Sequence, residues 1–131
     1  CPKVAVIAAF EQVNPDMPAT VEAALLAKMA DRGQIKNCIV DGPIALDGAV
    51  SVEAAAHKGM QSPVAGQADI LLVPVIEVGN AIYKTLVYLG HGRVAGVIAG
   101  AAAPIILTSR SDSPQAKLYS IATAVLMAEG A

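Results

Sequence analysis

Apolar, β-branched runs alternate with helix-like stretches along this chain, and that alternation restricts the fold more than any other feature. Lys3–Phe10 reads as a strand buried on both faces. The polar turn Asn14-Pro15-Asp16-Met17-Pro18 leads into a helix from about Ala19 to Arg32, with Val21, Leu25 and Met29 as its apolar stripe and Gly33 as its stop. Cys38-Ile39-Val40 is a short second strand closed by Asp41-Gly42-Pro43, and Leu46–His57 is helix-like up to Gly59. Asp69–Pro74 is the clearest strand. Val78–Leu89 is helical again, followed by turn signals at Gly90 and Gly92. Val94–Ile98 and Ile105–Leu107 are two further strands. Pro114–Glu129 is a last helix, with Leu118, Ile121, Val125 and Leu126 on its apolar face. Strands separated by helices predict an α/β domain with a mainly parallel sheet and helices on both faces. Ligands of such sheets sit beyond the carboxyl ends of the strands, which points to Asp41, Pro74 and Thr108.

The length of 131 residues predicts one domain with its own core. Hydrophobic residues make up 55% and charged ones only 15%, well under the usual quarter, and aromatics are 3%. Alanine and β-branched side chains must therefore supply the packing. A surface so poor in charge is expected to be covered by a partner subunit or a second domain. The net charge of −2, with no basic stripe, argues against nucleic acid as a partner. The longest apolar run, Val94–Leu107, is too short for a bilayer and is broken by glycines and Pro104, and no charged leader with a small-residue cleavage site is present. Cys1 and Cys38 lack metal-ligand spacing, and Cys38 reads as a buried thiol in a strand. These features predict a reduced, cytoplasmic protein.

The richest chemistry lies where the apolar run Pro104–Leu107 stops in Thr108, Ser109, Arg110, Ser111, Asp112 and Ser113. Ser113 is the expected N-cap and Pro114 the first helical residue. A strand-to-helix corner offers free backbone N–H groups, and Arg110 adds a planar fork that grips two oxygens of a phosphate or carboxylate. The plain alternative is a capped helix whose arginine pairs with Asp112. Glu77, Asn80 and Lys84 share one helical face beside Tyr83, either as ligand groups or as a solvated turn with Glu77 paired to Lys84. Asp41 and Asp47 read as a turn aspartate followed by an N-cap aspartate rather than as a metal pair. His57 and His91 have no partner for Ser–His or Cys–His catalysis and read as structural or surface groups. Gly96, Gly100 and Ala101–Ala103 allow close approach, but their spacing fits no nucleotide phosphate loop.

Taken in order, Asp41–Asp47, Val64–Pro74, Glu77-Val78-Gly79-Asn80 with Tyr83-Lys84, and Leu107-Thr108-Ser109-Arg110 resemble the phosphate acetyl/butyryltransferases. The Leu107–Ser113 form, with Ile76–Asn80 before it, is nearer to the butyryltransferase branch. The resemblance runs over nearly the whole chain and corresponds to the C-terminal part of such an enzyme. The expectation is one α/β domain over residues 1–131, with the N-terminal domain that walls the other side of the cleft outside this sequence. It implies an isocitrate/isopropylmalate dehydrogenase-like fold and a homodimer. It also implies acyl transfer between coenzyme A and phosphate, with coenzyme A as substrate and no metal or prosthetic group. Ser109 and Arg110 match the family's serine–arginine pair, the serine near the thiol and the arginine near the phosphoryl group. The base of the acetyl branch falls on Ala116, which leaves Asp112 as the nearest carboxylate. Thr108, Ser111, Ser113, Glu77, Asn80 and Lys84 are the expected substrate-binding residues. Two other classes stay open: a regulatory domain like that of malic enzymes, sensing coenzyme A or acyl phosphate without turnover, and a fragment of a metal-dependent decarboxylating dehydrogenase.

Overall fold

In the computed structural model, which describes residues 1–129, Lys3–Ile7 forms β1 at the centre of a three-stranded parallel sheet. Its neighbours are β2 (Ile39–Ile44) on one side and β3 (Ile70–Leu72) on the other. Alternate β1 side chains face opposite ways, and each set has its own cover. Val4 and Val6 pack with Val40 against Ala23 of helix α1 (Pro18–Asp31). Ala5 and Ile7 pack with Ile44 and Val64 against Ala49 of the short helix α2 (Leu46–Val50). The expected parallel sheet with helices on both faces is present in this part of the chain.

Helix α1 meets the sheet through a different face from the one its sequence suggests. Thr20 and Ala23 are fully buried, and Leu26 and Ala30 pack beside them, whereas Leu25 and Met29 are exposed. Small side chains let the helix backbone come close to β1 and β2, and this outweighs the larger apolar stripe. The helix lacks a side-chain cap at Met17. Thr20 closes its entry instead: its Oγ1 accepts the Asn14 N–H at 2.9 Å and lies 2.8 Å from the Met17 carbonyl. Where β2 passes the end of β1, a Cβ on Gly42 would stand 2.8 Å from Val6, so only glycine fits.

The helix expected over Leu46–His57 breaks at Ser51, whose extended backbone separates α2 from α3 (Val52–His57). Ser51 caps α3 by accepting the Ala54 N–H at 3.2 Å. Asp47 is not an N-cap. Ala45 holds that position, and Asp47 sits in the first turn of α2. Cys38 is half-buried just before β2, its thiol 3.6 Å from the Lys36 carbonyl, rather than inside a strand.

Where one domain is expected, the chain divides into two compact units, Cys1–Gly79 and the residues from Asn80 onward. Helix α4 (Ile76–Lys84) runs through the division and continues as a π-helical turn, Thr85–Leu89. The second unit holds β4 (Val97–Ile98), β5 (Ile105–Ile106) and α5 (Pro114–Glu129). β4 and β5 pair antiparallel with each other and do not extend the parallel sheet. The expectation of a mainly parallel sheet fails here, and Thr108 does not follow a parallel strand. The two runs are joined by a connection short enough to fold back directly, which favours antiparallel pairing. Helix α5 buries Ala116, Ser120 and Ala124, while Leu118, Ile121, Val125 and Leu126 are exposed, again the reverse of the expected face. Ser120 Oγ accepts the Gly96 N–H at 2.9 Å and donates to the Ala116 carbonyl at 2.8 Å, tying helix to strand. No helix among the described residues is long and apolar enough to cross a membrane.

Two glycines separate backbone strain from crowding. Gly66 has φ +70 and an added Cβ would lie 2.5 Å from Val52 Cα, whereas Gly33 has φ +72 with open space around it. Gly33→Ala is expected to lower unfolding free energy by about 1–2 kcal/mol, the left-handed cost alone. Gly66→Ala must also displace backbone and should lose at least about 3 kcal/mol. Equal losses in denaturant titration would mean that the Ser51–Val52 contact yields without cost.

Candidate functional site

The chain leaving β5 must reverse before α5, and Ser109–Asp112 makes that turn, with the Asp112 N–H donating to the Ser109 carbonyl at 3.1 Å. Ser113 caps α5 as expected, its Oγ accepting the Ala116 N–H at 3.1 Å. The turn is held mainly by the Asp112 carboxylate. Oδ2 accepts the Ser109 backbone N–H at 2.6 Å, and Oδ1 accepts the Tyr83 hydroxyl at 3.0 Å. Ser109 Oγ and Ser111 Oγ lie 3.0 Å apart, and the Tyr88 hydroxyl donates to Ser111 Oγ at 2.9 Å.

With Asp112 engaged in this way, the Arg110–Asp112 pair of the plain alternative does not form. Arg110 is exposed and forms no ion pair with another described residue. Two clefts flank the turn. One of about 370 Å³ is lined by Tyr88, His91, Arg93, Ser111, Asp112 and Ser113, among others. The other, of about 340 Å³, is lined by Tyr83, Gly96, Leu107, Thr108, Ser109 and Asp112. The arrangement presents hydroxyls and a guanidinium at a helix N-terminus, donors suited to an oxyanion or phosphate.

The remaining expected residues are placed less uniformly. Lys84 belongs to this unit, its Nζ 5.8 Å from the Tyr83 ring centroid and 5.7 Å from that of Tyr88. It faces aromatic rings rather than Glu77, and no Glu77–Lys84 pair forms. Asn80 is exposed on α4, and Glu77, also exposed, lies in the first unit. Asp41 accepts the N–H of Gly42, as a turn aspartate does. His91 is exposed with φ 51, and His57 ends α3.

The sequence reading missed two groups. Tyr88 carries no motif of its own. Lys58 of the first unit bridges Glu11 Oε1 at 2.8 Å and Asp47 Oδ1 at 2.7 Å. Its hydrogen bond holds both carboxyls below, and its own ammonium above, their ordinary values. The spacing of these three residues along the chain gives no signal of the cluster. No group of three His, Cys, Asp or Glu side chains among the described residues is arranged to hold a metal ion.

The turn yields two tests. Asp112→Asn keeps one acceptor but turns an NH₂ toward a second donor. Unfolding free energy should fall by about 1.5–3 kcal/mol, the range for a charged hydrogen bond. A melting curve identical to wild type would contradict the carboxylate's role. The Tyr83 phenol is pushed above its ordinary value of 10.0, first by burial and then by its bond to Asp112 and that group's charge. The unfolded chain therefore loses this proton near pH 10 while the folded chain keeps it. Stability should fall as pH rises from about 10 through the folded value, and Tyr83→Phe should flatten that fall in urea titrations.

Comparison with known proteins identifies the family. Residues 1–125 match the family described as "Phosphate acetyl/butaryl transferase". The chain is 62% identical over 128 residues to a probable phosphate butyryltransferase of Bacillus subtilis, covering 98% of this chain and 43% of that protein. It is 59% identical over 127 residues to a phosphate acetyltransferase of Thermotoga maritima, covering 97% and 43%. A branched-chain phosphotransacylase from Enterococcus faecalis superimposes with a TM-score of 0.84 at 45% identity, over 95% of this chain and 44% of that one. The chain thus spans less than half the length of the relatives it matches. It belongs to the phosphate acetyl/butyryltransferase family.

Proposed function

We propose that this segment forms one side of the active site of a phosphotransacylase, which moves a short-chain acyl group, butyryl or acetyl, between coenzyme A and phosphate. The observation that carries the reading is the Ser109–Asp112 turn, whose arginine is left unpaired because the neighbouring aspartate is bonded to Ser109 and Tyr83. In the reaction, the coenzyme A thiolate attacks the acyl-phosphate carbonyl, an oxyanion develops, and phosphate leaves. Arg110 meets the phosphoryl oxygens with two N–H groups, and the α5 N-terminus adds the positive end of its dipole. Ser109 hydrogen-bonds the sulfur or the developing oxyanion. Thr108, Ser111 and Ser113 supply further hydroxyls, and Lys84 and Asn80 contribute from α4. Asp112, with both oxygens bonded, supports the turn rather than taking the thiol proton. Ala116, where the acetyl branch has its base, is a buried residue in the first turn of α5.

The wider reading is an isocitrate/isopropylmalate dehydrogenase-like fold in a cytoplasmic homodimer. The rest of the relatives' length would supply the opposite wall, and the chemistry needs neither metal nor prosthetic group. Exposed apolar side chains such as Leu118 and Leu126 support association. Arg110→Lys keeps the charge and loses the fork. Thioester formation from butyryl or acetyl phosphate should fall about 10–100-fold in kcat/KM, equivalent to roughly 1.5–3 kcal/mol. Unchanged constants for both acyl phosphate and phosphate would remove Arg110 from the phosphoryl site.

A further inference from the structure

The π-helical turn after α4 has a consequence for Ser109. In a regular α-helix, residues five apart are rotated by about 140° from each other, so Tyr83 and Tyr88 would face different ways. Here the Gly90 N–H reaches the Thr85 carbonyl five residues back, at 2.9 Å. The wider i→i+5 winding turns less per residue and narrows that offset. Both tyrosines present their hydroxyls to the one turn, Tyr83 from α4 to Asp112 and Tyr88 from the π-helical turn to Ser111. Tyr88 donates to Ser111 Oγ, which lies 3.0 Å from Ser109 Oγ, and the Ser111 N–H approaches the same Ser109 oxygen at 3.4 Å. With Tyr88 donating inward, the hydroxyl protons run in one direction when Ser111 donates to Ser109. Ser109 then acts as acceptor toward the protein, and its own proton points away from the turn.

We infer that Tyr88 is a positioning residue that acts through Ser111 to hold the Ser109 hydroxyl as an outward hydrogen-bond donor. The assignment rests on the transferase reading above. It deepens that reading by making Ser109 a donor to the sulfur or oxyanion rather than a proton acceptor. Tyr88→Phe keeps the ring that Lys84 approaches and removes only the hydroxyl.

The test uses the enzyme that carries this segment, assayed with coenzyme A and butyryl or acetyl phosphate. Tyr88→Phe should lower kcat about 3–10-fold, the scale of one lost neutral hydrogen bond. KM for both substrates should stay within about twofold and the melting temperature should not move. Ser111→Ala should lower kcat by the same factor, and the double variant should have a kcat no lower than either single one. Multiplying effects, or a loss confined to KM, would overturn the relay. A second readout needs no turnover: side-chain couplings in NMR should show Ser109 in one χ1 rotamer in the wild type and several in Tyr88→Phe. A single rotamer in both proteins would also overturn it. A wild-type enzyme without transferase activity but with this rotamer change would refute the transferase reading and leave the positioning role of Tyr88 standing.

Discussion

The second unit depends on how the Asp112 carboxylate is used. Two claims compete for it: the Arg110 guanidinium, and the pair of donors formed by the Ser109 N–H and the Tyr83 hydroxyl. An exposed ion pair contributes about 0–1 kcal/mol, whereas leaving a partly buried donor unmet costs about 1–3 kcal/mol. The donors win, at 2.6 and 3.0 Å. Two results follow from one choice. The turn is closed onto the end of α4, and the Arg110 N–H groups stay open to solvent and ligand.

Small side chains make the rest of the architecture possible. With so few aromatics, close packing is reached by bringing backbones together. Ala23 is fully buried in α1, Gly42 lets β2 pass Val6, and Gly66 lies against Val52. In the second unit an added Cβ on Gly96 would lie 2.5 Å from the Leu107 carbonyl, and Ser120 both bonds the Gly96 N–H and caps its own lost space by bonding back to Ala116. Dispersion grows steeply as such gaps close, so alanine and serine seams are effective without bulk.

This also explains which parts of the fold were legible. Strand and helix placement followed from periodicity and punctuation: β1, α1, β3, α4 and α5 lie close to where their apolar runs, prolines and glycines put them, and Ser113 caps α5 as its position before Pro114 requires. The faces did not follow, because the rule that large apolar residues turn inward ranks Leu25 above Ala23 and Leu118 above Ser120. In both helices the close-packed small residue took the interior. The break at Ser51 was hidden by the good helix formers Glu53–Ala56 that follow it. The corner at Thr108–Ser113 was legible as chemistry, but its wiring was not. Tyr83 and Tyr88 are separated from the turn in sequence by β4 and β5, and nothing in their spacing signals that both hydroxyls reach it.

Charge distribution connects that wiring to the chemistry. The net charge of −2 conceals an uneven split: residues 80–131 carry four Lys or Arg against two Asp or Glu, and residues 1–79 carry five against nine. The proposed substrates are phosphate, acyl phosphate and coenzyme A, all multiply anionic. The positive excess belongs to the unit that holds the Ser109–Asp112 turn, with Arg93 beside the larger cleft and Arg110 on the turn itself. In the first unit, the acidic excess is partly neutralised in place by Lys58 between Glu11 and Asp47. A carboxylate bonded to neutral donors rather than to the arginine does not change the net charge of the turn, but it leaves the guanidinium's N–H groups free to meet an incoming anion. The hydrogen bond from Tyr83 to Asp112 therefore does two things: it closes the turn, and it occupies the carboxylate that would otherwise engage Arg110.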